Sequence, residues 1–87
     1  MNAEQTKRVI AIVAEVTLAK ASEITLSTHL YSDLELDSLS ALELLVAIED
    51  AFVIDIDTNA AKRIQTIGDL VDLVSELVAA KPARQDA

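Results

Sequence analysis

The sequence predicts an all-α fold: a small helical bundle of three main helices plus one short helix, with a long ordered loop between the first two. Three observations predict it. Apolar residues recur at helical spacing in three separate stretches. One Gly, one Pro and two aromatics, Tyr31 and Phe52, leave few turn formers and few large β-formers. A length of 87 residues limits the chain to one compact core. Residues 1–80 contain no repeat, linker or second core and read as one domain, whereas the polar stretch 81–87, with Pro82, reads as a disordered tail.

The first helix is expected from Ala3 to about Ala19. Val9, Ile10, Val13 and Val16 keep helical spacing among helix formers, and Asn2 is placed to cap the start. The run Val9-Ile10-Ala11-Ile12-Val13 competes as a strand, but the length of the segment and its Glu, Gln, Lys and Ala content favour the helix. From Lys20 to Asp37 no clean period appears, yet Ile24, Leu26, Leu30, Tyr31 and Leu34 are spaced as anchors. A connection this long in a small domain is expected to be ordered and functional.

Asp37 has the side chain to cap a second helix, from about Ser38 to Phe52. Ala41, Leu44, Leu45, Ile48 and Phe52 form its core-facing stripe. Leu39, Leu42 and Val46 form a second apolar stripe, on a face shared with Glu43, Glu49 and Asp50. Either both stripes are buried, or the second is a docking strip rimmed by carboxylates; a chain with so little core favours docking. Asp57 to Ile64 reads as a short helix. Thr66 then caps a last helix from Ile67 to about Ala80, with Asp69 at the capping-box position and Leu70, Val71, Val74 and Val78 turned inward.

Composition narrows the function. The absence of cysteine excludes disulfides, thiolate metal sites and any thiol nucleophile borne by the protein, and His29 alone builds no zinc site. No nucleophile, base and oxyanion group converge in the pattern, so no enzyme is expected. The segment Met1-Asn2-Ala3-Glu4-Gln5 lacks the plan of a signal peptide and no apolar run is long enough to span a bilayer, which gives the expectation of a cytoplasmic protein without stable membrane insertion. A net charge of −8 repels nucleic-acid phosphates and favours partners with basic patches. Eight of the fifteen acids, and none of the seven basic residues, lie between Asp33 and Asp57. Asp33, Glu35 and Asp37 alternate like the first ligands of a calcium loop, but Ser38 stands where the turn glycine belongs and Leu44 where a bidentate Glu is required.

The run Asp33-Leu34-Glu35-Leu36-Asp37-Ser38-Leu39 resembles the acyl carrier protein family, whose signature is Asp-Ser-Leu at the start of the second helix. The likeness extends from about Glu4 to Ala80, through Leu42-Glu43-Leu44, Ile48-Glu49-Asp50-Ala51-Phe52 and Ile64-Gln65-Thr66-Ile67-Gly68-Asp69. The tripeptide alone is weak; joined to these segments and to the chain length it is strong. The resemblance implies a non-enzymatic carrier in which a phosphopantetheinyl transferase esterifies Ser38 with 4'-phosphopantetheine from coenzyme A. The arm's thiol then holds acyl groups as thioesters for fatty-acid or related lipid or polyketide biosynthesis. A serine at a helix start suits this role, because the helix dipole favours an attached phosphodiester.

The same resemblance implies that Asp37, Leu39, Leu42, Glu43, Val46, Glu49 and Asp50 meet basic patches on acyl synthases and transferases. Ile48, Phe52, Ile64 and Val71 are its candidates for lining a folded-back acyl chain, although as a group they read more simply as core. Glu35 stands where the family commonly has glycine, Asp57 where proline is common, and Thr58-Asn59-Ala60-Ala61-Lys62-Arg63 fills a segment that is often acidic. These departures point from a housekeeping role towards a specialised carrier. Two alternatives stay open: an acidic helical adaptor that is never modified, told apart by whether Ser38 accepts the arm, and a carrier of aminoacyl or D-alanyl cargo.

Overall fold

Val9 and Val13 on the first helix, Leu44, Ile48 and Phe52 on the second, and Ile67, Leu70, Val71 and Val74 on the last are all buried in one core. Amphipathic periodicity thus translates directly into an all-α bundle. The computed structural model describes residues 3–80; Asn2 and the tail 81–87 lie outside the described residues. The elements are α1 (Ala3–Thr17), a short 3₁₀ turn (Ala21–Glu23), α2 (Ser38–Phe52), α3 (Thr58–Lys62) and α4 (Ile67–Ala80). Helix α1 packs against both α2 and α4.

Each helix boundary has a local cause. Helix α1 stops short of the expected Ala19 because Leu18 turns left-handed at φ 62, while the Thr17 hydroxyl donates back to the Val13 carbonyl at 2.7 Å. Asp37 caps α2 by accepting the Ser40 N–H at 2.8 Å. At its far end Val53 adopts φ 53, and the N–H groups of Val53 and Ile54 both return to the Glu49 carbonyl, a Schellman-type closure made without glycine. Asp57 caps α3 through the Ala60 N–H at 2.7 Å. Thr66 and Asp69 cap α4 reciprocally: the Asp69 N–H donates to the Thr66 hydroxyl, and the Asp69 carboxylate accepts the N–H groups of Gln65 and Thr66, at 3.0–3.1 Å.

The loop from Lys20 to Asp37 is ordered by its pairing with the α3–α4 junction. Three backbone bonds join them: Leu30 N–H to Gln65 O (2.8 Å), Ile67 N–H to Thr28 O (2.9 Å) and Gly68 N–H to Leu26 O (2.8 Å). Gly68, the chain's only glycine, allows this approach, since a Cβ there would sit 3.1 Å from the Leu26 carbonyl oxygen. Ile24 and Leu30 are buried and Leu34 is half-buried, as their spacing predicts. Leu26 and Tyr31 correct that expectation, being exposed. Leu26 is held by its backbone rather than its side chain, and the Tyr31 ring borders a surface groove beside α2.

Candidate functional site

Successive residues of a helix advance by about 100°, so α2 presents three faces. Leu44, Ile48 and Phe52 point into the bundle and are buried. On the opposite side Leu39 (65% exposed), Leu42 (57%) and Val46 (46%) form a strip with exposed Glu43 and Asp50 beside it. The second apolar stripe is therefore on the surface. Ser38 belongs to a third face, between the other two, together with Ala41, Leu45 and Glu49.

That third face forms one wall of an open groove of about 440 Å³ between α2 and α3. Ser38, exposed in the first turn of α2, stands in its lining, and no hydrogen bond among the described residues engages the hydroxyl. Ala41, Leu42 and Leu45 continue the α2 wall, Ile56, Thr58, Ala61 and Lys62 form the α3 side, and Tyr31 comes in from the long loop. Beneath the groove, among Leu30, Leu44, Ile64 and Leu70, the remaining void is only about 10 Å³, at the threshold for a single water. Ile48, Phe52, Ile64 and Val71 are buried in the core; Ile64 alone of the four borders this void, and Phe52 borders a separate open groove of about 720 Å³ beside α1.

The candidate carboxylates divide by what holds them. Asp37 is a cap; the Ser40 backbone N–H, followed by the Ser40 hydroxyl, keeps its carboxyl below the ordinary value of 3.8. Glu49 is half-buried and accepts the Ile56 N–H at 2.7 Å, pinning the segment between α2 and α3. Asp33, outside the candidate face, accepts the His29 N–H at 2.7 Å and closes a turn of the loop that leads to Ser38. Glu43 and Asp50 carry no such bond among the described residues. Of the seven residues expected on the docking face, Leu39, Leu42, Glu43, Val46 and Asp50 are brought together on the exposed strip, while Asp37 and Glu49 flank it with their carboxylates engaged locally.

Sequence reasoning did not find the groove. Tyr31, Ile56 and Lys62 come from different segments, and no local periodicity relates them. The nearest signal was the Asp57 cap, which fixes the register of α3 and so the side on which Lys62 emerges. With the neighbourhood of Ser38 laid out, comparison with known families gives one finding: a family model described as "Phosphopantetheine attachment site" matches residues 7–74, a span that contains the whole groove and the exposed strip.

Proposed function

The chain belongs to the phosphopantetheine attachment-site family found in acyl carrier proteins, and on that premise we propose that Ser38 is the serine that accepts the arm. Members of the family attach 4'-phosphopantetheine covalently to a serine and serve as carrier modules without catalysis of their own. The observation that carries the assignment to Ser38 is its exposed, unengaged hydroxyl in the first turn of a capped helix, opening onto a groove.

The residues fit such a group. Attachment forms a bond from the Ser38 oxygen to the phosphorus bonded to the pantetheine oxygen in coenzyme A, and breaks that phosphorus's bond to the adenosine bisphosphate leaving group. The serine proton passes to a base on the transferase, so the chain needs none of its own. The N-terminus of α2 favours the resulting phosphodiester, and the Asp37 cap keeps that turn closed. When bound, the group supplies a thiol that holds acyl cargo as a thioester. The protein supplies position: the clasped loop and the α2 cap fix where the tether begins, and tethering raises the local concentration of cargo at a docked enzyme.

Acyl intermediates of fatty-acid or related lipid or polyketide synthesis are the cargo this reading assigns, with acyl synthases and transferases as partners besides the phosphopantetheinyl transferase. Leu39, Leu42 and Val46 offer them an apolar strip, and Glu43 and Asp50 add charge that speeds encounter with basic patches. Intact-mass measurement after incubation with coenzyme A and a promiscuous transferase tests the reading. One phosphopantetheine is expected on the native chain and none on Ser38→Ala; a native chain of unchanged mass overturns the assignment.

A further inference from the structure

Among the described residues, the groove that Ser38 lines carries one cation, Lys62. We propose that Lys62 pairs with the phosphodiester on Ser38 and so lays the proximal arm along the groove between α2 and α3, an inference that rests on the attachment reading above. The ground around Ser38 is acidic: Asp33, Glu35 and Asp37 precede it, and no basic residue occurs from Asp33 to Asp57. A phosphodiester there adds a further negative charge and is drawn to any cation within reach. Lys62 borders the same groove as Ser38, and no hydrogen bond or ion pair among the described residues engages its ammonium.

The neighbouring cation is directed elsewhere. Arg63 borders a separate crevice on the α4 side, with Asp69, Asp72 and Glu76 around it. The two adjacent basic residues thus serve opposite sides of α3. Helix register places Lys62 on the groove that Ser38 also lines: the Asp57 cap fixes the start of α3, and Ala61 borders the small void below the groove together with Ala41 and Leu45 of α2. The lining also matches the arm, in which a dimethyl-bearing segment next to the phosphate is followed by two amides; Leu42, Leu45 and Ile56 offer apolar contact, and Tyr31 and Thr58 offer hydroxyls. From Ser38 to Glu49 this wall runs about 16 Å along α2.

The test compares apo and holo protein by amide and phosphorus NMR for the native chain and for Lys62→Met, Lys62→Arg and Arg63→Met, with loading of each checked by intact mass. In the native chain, loading should shift the amides of Leu45, Thr58 and Ala61, and high salt should shrink those shifts by screening the pair. Lys62→Met should reduce them at least about twofold and move the phosphorus resonance, Lys62→Arg should restore both, and Arg63→Met should leave both unchanged. Equal shifts in Lys62→Met and native protein overturn the proposal while the attachment reading stands. Shifts that appear only after the thiol is acylated overturn it too, because the groove then answers to cargo. A native chain that gains no mass refutes the attachment reading and the pairing together.

Discussion

Val53 is β-branched, 72% exposed and held at φ 53, a left-handed conformation that such a residue adopts only under strain. Glu35 at φ 57 and Leu18 at φ 62 share the geometry, while the single glycine serves a close approach in α4 instead. Val53→Gly is therefore expected to stabilise the protein by about 1 kcal/mol, since it releases the turn and surrenders little buried surface. Thermal unfolding should register this as a rise of about 4–8 °C in Tm; a fall would show that the Val53 side chain contributes more than its exposure implies. At this scale the sequence was legible where a side chain bonds to nearby backbone, as at Asp37, Thr66 and Asp69; Asp57 was expected inside the short helix and instead caps it. A left-handed turn without glycine leaves no such mark. Only Glu35 gave a hint, by standing where the family resemblance puts glycine.

Helix α2 was legible to the residue, from Ser38 to Phe52, because a cap and an unbroken apolar stripe bracket it. The long loop was legible as ordered but not in its contacts, since backbone rungs to Gln65, Ile67 and Gly68 depend on segments far apart in the chain. Gly68→Ala tests those rungs. Inside a helix that exchange ordinarily gains up to about 1 kcal/mol. Here the new Cβ meets a carbonyl oxygen locked by its own 2.8 Å bond, so denaturant unfolding should show a net loss, of about 1–2 kcal/mol. Asp69→Ala removes the acceptor for two N–H groups at the start of α4 and should cost about 1 kcal/mol at neutral pH. The N–H groups of Gln65 and Thr66 hold the Asp69 carboxyl below its ordinary 3.8, as Ser40 does for Asp37. Because the folded values are the lower ones, both caps contribute fully above 3.8 and fail as pH falls through them. Acid titration of Asp69→Ala should therefore be flatter below that point than that of the native chain; parallel curves would show that the cap does not titrate with the fold.

Across the whole molecule, one apolar face of α2 stays outside the core that α1, α2 and α4 share. Leu39, Leu42 and Val46 could have completed a two-sided core, and composition alone did not decide; the bundle closes without them and leaves them in solvent. Glu43→Lys should slow acyl transfer by a partner synthase several-fold at low ionic strength and flatten its salt dependence, with thermal stability nearly unchanged because the residue is exposed. Equal transfer rates at low salt would remove this face from the encounter. The clasp between the long loop and the α3–α4 junction also bears on biosynthesis. During translation, the stretch leading to Ser38 is made before Gln65, Ile67 and Gly68, so its three backbone bonds can form only once that later segment has followed it out of the ribosome. The loop before α2 thus takes its fixed course late, when the α3–α4 junction arrives to complete the clasp.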